Sequence, residues 1–68
     1  MFKVDASKIR TLMFERGISG VYELARKAQI NGVTAAKVLK DGATAKAKTI
    51  AALARCFGVN GEELILKE

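Results

Sequence analysis

Val21-Tyr22-Glu23-Leu24-Ala25-Arg26-Lys27-Ala28-Gln29-Ile30-Asn31-Gly32-Val33-Thr34-Ala35-Ala36-Lys37-Val38-Leu39 is the stretch from which the fold of this 68-residue chain is read. Val21, Leu24, Ala25 and Ala28 recur at helical spacing on one face, and Glu23 lies in the first turn, where a carboxylate favours the helix dipole. Gln29-Ile30-Asn31 breaks that period. Asn31 is a good N-cap for a following helix whose inward positions are Ala35, Val38 and Leu39. Two short helices joined by only three residues do not lie antiparallel comfortably and more naturally cross steeply, which is the geometry of a helix-turn-helix. In such a pair the second helix offers its outer face to the DNA major groove. Here that face carries Gly32, Val33, Thr34, Ala36, Lys37 and Lys40.

Working outward, the chain has no proline, so glycines and small polar residues mark the other boundaries. Asp5 or Ser7 caps a first helix with Ile9, Leu12 and Met13 on its buried stripe, and Gly17 ends it as a left-handed residue would. Ser19 or Gly20 opens the second helix, and Gly42 closes the third. A fourth helix starts near Thr44 and runs from Ala45 to Phe57, with Ile50, Leu53, Ala54 and Phe57 on one side and Gly58-Val59 as its stop. Asn60 and Glu63 make a capping-box variant ahead of Leu64, Ile65 and Leu66, which predicts a fifth helix. No segment alternates with period two for long enough to make a strand. The reading is all-α, a compact five-helix bundle in one domain spanning 1–68. Ile9, Leu12, Met13, Ile18, Leu24, Ile30, Val38, Leu39, Ile50, Leu53, Phe57 and Leu64 supply its core.

Composition narrows the function. One cysteine and no histidine exclude a disulfide scaffold and a histidine-ligated metal site. Cys56, without a second cysteine or a nearby base, reads as a half-buried structural thiol. No Gly-rich phosphate loop, metal-ligand cluster or nucleophile beside a base is present, so the chain reads as no enzyme, with no cofactor and no small-molecule substrate. No apolar stretch is long enough to span a bilayer and the N-terminus lacks a signal peptide's apolar core, so no membrane association is expected and the expected compartment is the cytoplasm. The net charge of +5 is uneven: residues 26–55 hold seven cations against Asp41 alone, while the remainder is nearly balanced. A face of that kind usually meets polyanions or solvent.

The residues also resemble a known family, the Xre-type or Cro/repressor helix-turn-helix proteins. The similarity runs from Ile9 to about Ile65 and is carried by Ile9-Arg10-Thr11-Leu12, Gly17-Ile18-Ser19, Glu23-Leu24-Ala25, Ile30-Asn31, Thr34, Lys37-Val38-Leu39 and Asp41-Gly42. Thr49-Ile50-Ala51-Ala52-Leu53-Ala54, Phe57-Gly58-Val59 and Glu62-Glu63-Leu64 continue it. Each motif is weak alone, and their order and spacing together are specific. The chain departs from the family pattern at Gln29, where glycine is usual, so either one residue is strained or the turn differs. It departs again at Gly32 and Val33, which stand where polar base readers are usual.

The resemblance implies a lambda-repressor-like DNA-binding fold and a sequence-specific transcriptional regulator, a small repressor that binds operator DNA through its third helix. Asn31, Gly32, Val33, Thr34, Ala36, Lys37, Lys40, Lys46 and Lys48 are the expected DNA-binding residues. Lys37 would reach a guanine edge or a phosphate, Thr34 a base or phosphate, and Val33 a thymine methyl. Asn31 is a cap first and a phosphate contact second, and Lys40, Lys46 and Lys48 flank the following loop where phosphates would lie. Arg26 and Lys27 are explained by the C-terminal dipole of the second helix and stay outside this set. The expected partner is double-stranded DNA, with a homodimer on DNA using Tyr22 and Leu66 by analogy. Two alternatives stay open: a protein-interaction or antitoxin-like module with this fold, and an architectural DNA binder of little sequence preference.

Overall fold

The computed structural model describes residues 1–67. Asp5 opens the first helix, α1 (Ala6–Glu15), by accepting the Lys8 amide on Oδ1 at 3.1 Å, so Asp5 and not Ser7 is the cap. Next come α2 (Val21–Ala28) and α3 (Gly32–Val38), the two helices read as a helix-turn-helix. Asn31 caps α3 as expected, its side-chain oxygen accepting the Val33 amide at 2.7 Å. The fourth helix, α4, spans Ala47–Phe57.

Two expectations need correction. The fifth helix is a single 3₁₀ turn, Gly61–Leu64, so four α-helices are present among the described residues. The capping interaction is made, with the Asn60 amide donating to Glu63 Oε2 at 3.2 Å. Helix growth stops because the backbone beyond it is engaged elsewhere. Ile65 bridges Val4 antiparallel, and the Leu66 amide donates to the Lys3 carbonyl at 2.9 Å. The fourth helix also begins later than Thr44. Thr44–Ala45 form a short strand, β2, paired antiparallel with β1 (Phe2–Lys3), with Phe2 opposite Ala45 and Lys3 opposite Thr44. Two residues per strand are too few to show an alternating pattern, which is why the all-α reading passed over them.

Three helices end alike. Ile18, Ile30 and Val59 donate their amides to the carbonyls of Met13, Ala25 and Ala54 at 2.8, 3.0 and 3.0 Å, each closing a six-residue Schellman loop through a left-handed residue. In α1 and α4 that residue is Gly17 or Gly58, whereas in α2 it is Gln29, with φ +57° and ψ +45°. Of the two outcomes left open by the missing glycine, the strained residue is therefore the one realised.

The apolar stripes meet in one core. Ile9, Leu24, Leu53, Leu64 and Val38 are fully buried, as their spacing predicts, while Ile30 and Leu39 are only partly so. Val4, from the N-terminal strand region, joins them at 1% exposure. Burying such side chains contributes roughly 1.5–3 kcal/mol each. Two arginines, Arg10 within α1 and Arg16 at its C-cap, then tie down the ends of other helices. The Arg16 Nε donates to the Phe57 carbonyl at 2.9 Å, and Arg10 Nη1 donates to the Leu39 carbonyl at 2.8 Å. Both carbonyls lie at helix C-termini, where cationic donors are favoured.

Candidate nucleic-acid interface

α3 packs on α2 and buries its Ala35 and Val38, and this fixes which of its residues face outward. Asn31, Gly32, Val33 and Lys37 are exposed, and Thr34 and Ala36 are half-buried on either side. The outer face has two unlike flanks. Toward α2, Gly32, Val33 and Ala36 line one cleft with Val21 and Tyr22. Toward α4, Thr34 lines a second with Asn31, Lys48, Thr49 and Arg55, and a third with Lys37, Lys46 and Thr49. Of the nine expected site residues, the structure thus brings Asn31, Thr34, Lys37, Lys46 and Lys48 together on the α4 flank. Gly32, Val33 and Ala36 lie on the other. Lys40 is exposed in the loop after α3 and lines none of these clefts.

Among the residues outside the expected set that line these clefts, Arg55, Thr49 and Tyr22 stand out. Arg55 follows Lys48 by seven residues on α4, two helical turns, so the spacing alone puts both on one face. Thr49 lies between the two α4-flank clefts and has no charge to single it out. Tyr22, expected at a dimer contact, stands 94% exposed beside Val33.

The electrostatics follow a simple division. Lys8, Arg10, Arg16 and Lys67 each lie within 4 Å of a carboxylate: Glu63 at 3.8, Asp41 at 3.6, Glu15 at 3.2 and Glu62 at 3.7 Å. Between residues 26 and 55 only Lys27 has such a partner, Glu23 at 3.5 Å one turn earlier on α2. No carboxylate among the described residues lies within 4 Å of Arg26, Lys37, Lys40, Lys46, Lys48 or Arg55. Asp41, the one acid of that stretch, is held by Arg10 from α1. The single negative charge near the lysines is therefore partly neutralised from outside the stretch.

Glu23 is itself held below the usual carboxylate range, first by the Ser19 hydroxyl, which donates to it at 3.1 Å, and then by Lys27. Lys27 thus has a carboxylate partner within the fold. Cys56 is half-buried, and burial pushes its thiol up from the ordinary value, away from the reactive thiolate. Among the described residues no group of histidine, cysteine and acidic side chains is arranged to hold a metal ion. No helix of the described residues is long and apolar enough to cross a membrane.

A surface of unpaired cations along one flank of an exposed helix can bind a chain of phosphates while the helix itself enters a groove. Residues 8–66 match the family model of the Cro/C1-type HTH DNA-binding domain. No curated protein and no solved structure matches the chain.

Proposed function

Since the chain belongs to the Cro/C1-type helix-turn-helix DNA-binding family, which makes it a double-stranded DNA binder of the kind that regulates transcription, we propose that it is a sequence-specific repressor occupying operator DNA through α3. The observation that carries this reading is the set of cations without anionic partners, Lys37, Lys46, Lys48 and Arg55, along the α4 flank of α3. Cations serving only solubility would be expected to share their surface with acids, as Lys8 and Lys67 do. With α3 in the major groove, Lys46 and Lys48 at the start of α4 reach one phosphate strand, and Thr34 and Lys37 lie closest to the base edges. Lys40, in the loop, makes a peripheral phosphate contact.

One helix-turn-helix domain offers little surface for affinity, so the binding unit is a homodimer spanning two half-sites about 34 Å apart, one helical turn of DNA. Repression is then exclusion of other proteins from the occupied promoter. The protein needs no cofactor for this.

Selection from a random-sequence DNA pool at two salt concentrations tests the reading. The expected result is an enriched palindrome and an affinity that falls with salt. With about six phosphates neutralised per dimer, the slope of log affinity against log salt is roughly −5. Enrichment of no motif with the salt dependence retained would assign the chain instead to architectural binding. Absence of DNA binding at any salt would sink the proposal.

A further inference from the structure

Gln29 is the one non-glycine residue among those described whose backbone is left-handed, at φ +57° and ψ +45°. The turn itself does not need its side chain. The Schellman bonds at the end of α2 are made by backbone groups, as they are beside Gly17 and Gly58, and glycine would make them without the Cβ penalty. Nor does the carboxamide serve the fold in another way, since Gln29 is exposed and its side chain forms no hydrogen bond among the described residues. A strained residue whose side chain gives nothing to the fold points to a use outside the chain.

The surroundings indicate that use. Gln29 lines an open cleft of about 520 Å³ between the α2–α3 turn and α4, with Thr34 from α3 and Lys48, Thr49 and Arg55 from α4. Its polar groups are of one kind. Lys48 and Arg55 have no carboxylate within 4 Å, and the half-buried Thr34 and Thr49 have hydroxyls without a hydrogen-bond partner among the described residues. Elsewhere the hydroxyls of Thr11 and Ser19 are both engaged. With no acid on its walls, the cleft offers N–H and O–H donors to a ligand that is anionic and rich in acceptors, and Ala51 and Ala52 add a short apolar wall. A phosphate flanked by deoxyribose has that chemistry. Thr34 and Thr49 also line the neighbouring cleft, which holds Lys37 and Lys46. Two donor-rich clefts with a shared wall suit a chain of phosphates better than a single free one.

We propose that Gln29 is a phosphate-binding residue of the DNA interface, its carboxamide donating to a backbone phosphate lodged in this cleft between Lys48 and Arg55, while the next phosphate of the same strand lies by Lys46. The inference rests on the DNA-binding reading above. The bond fixes where along the strand the turn between α2 and α3 sits, and with it the register at which α3 enters the groove. Glycine at this position would relax the turn and lose the bond.

The test titrates wild type and Gln29→Gly with the selected operator and with a set of the same duplexes, each carrying one uncharged methylphosphonate in place of a backbone phosphate. On the unmodified operator Gln29→Gly should bind about tenfold more weakly than wild type, the loss of one hydrogen bond to a charged acceptor, although it unfolds at a higher urea concentration. Its salt slope should not change, because the lost donor is neutral. Arg55→Gln should also weaken binding and, unlike Gln29→Gly, flatten that slope. Gln29→Glu keeps the size and the strained backbone but brings a carboxylate to the phosphate, and should bind more weakly than Gln29→Gly. One methylphosphonate position in each half-site should cost the wild type affinity and cost Gln29→Gly distinctly less, while every other position costs the two proteins equally. A merely structural role for Gln29 would single out no phosphate. Wild-type affinity of Gln29→Gly for the operator overturns the proposal, and so does a loss that is the same at every position. Inorganic phosphate shifting the Gln29 side-chain amide resonances while Gln29→Gly keeps full DNA affinity would assign the cleft to a free phosphate compound instead. Failure of the wild type to bind any DNA would refute the reading on which the proposal rests.

Discussion

Arg16 and Lys48 carry the same charge in opposite circumstances. Arg16 donates from Nε to the Phe57 carbonyl at 2.9 Å and lies 3.2 Å from Glu15, so its guanidinium helps hold α1 to the end of α4. Lys48 meets no anion among the described residues and lines a cleft beside the start of α3. The contrast extends to whole regions. Cations of α1 and the C-terminal segment are matched to carboxylates or carbonyls, and those from α3 into α4 are left open. Exposed ion pairs add about 0–1 kcal/mol each, so the pairing changes the fold's stability little. Its larger effect is on the field, which is cancelled over one side of the molecule and kept over the other.

The sharpest way to break this division is to remove the open charges together. Lys37, Lys46 and Lys48 all replaced by Gln should lower operator affinity on the order of a hundredfold or more near 0.1 M salt, and flatten the salt slope by roughly two per subunit, the share of the phosphate-contacting Lys46 and Lys48. Thermal stability should shift by no more than about 0.5 kcal/mol, because no contact of the fold is lost. Replacing Lys8 and Lys67 by Gln removes two cations from the matched side and should leave the affinity nearly unchanged. Equal losses in the two variants, measured by titration at several salt concentrations, would show that only net charge matters.

The converse variant acts on the matched side. Arg16→Ala removes a charge-assisted hydrogen bond and leaves the Phe57 carbonyl at the end of α4 without its side-chain donor. A loss of about 1–2 kcal/mol is expected in urea unfolding, the lower part of the range for such bonds because the guanidinium is partly exposed. DNA affinity of the folded fraction should change less than in the lysine variant.

Much of this layout was legible in the sequence and some was not, for physical reasons. The spacing of Leu24, Ala28, Ala35 and Val38, with Asn31 as a cap, was enough to read α2 and α3, because amphipathic periods and capping are local properties. The run of cations was visible as composition. Which of them remain open was not, because pairing Arg10 with Asp41 requires α1 and the loop after α3 to meet in space. The same limit explains β1 with β2 and the 3₁₀ turn: both depend on pairing between the chain's beginning and distant segments. Thr49 and Arg55 were missed for a related reason. They face α3 only after α4 has packed, although Arg55's spacing from Lys48 was a usable signal.

Gln29 offers a smaller and more local test. Gly17 and Gly58 adopt the left-handed conformation without a Cβ penalty, and Gln29 adopts it with one. Gln29→Gly should stabilise the protein by about 1 kcal/mol, the left-handed penalty being partly offset by the greater entropy of glycine in the unfolded chain. Chemical denaturation reads this directly. Destabilisation would mean that the Gln29 side chain contributes more at the mouth of the α3–α4 cleft than its exposed position suggests. In DNA titrations the variant should retain its salt slope, since no cation is touched.

The smallest effect concerns Glu23, the carboxylate that takes Lys27 out of the open set. Ser19 is the first cause of its lowered pKa and Lys27 a lesser one. A carboxyl whose folded value lies below its unfolded value adds stability above the unfolded value near 4.5, and that stability disappears as pH falls through the folded value. Ser19→Ala should therefore raise the Glu23 pKa toward 4.5, seen in an NMR titration of the side-chain carboxyl. The pH dependence of unfolding should weaken slightly between about pH 5 and 3. At neutral pH Glu23 stays ionised either way, so Lys27 remains matched and DNA affinity should not move. A change in affinity with Ser19→Ala at pH 7 would mean that the start of α2 itself touches DNA, and would extend the open surface from the α4 flank of α3 across to its other side.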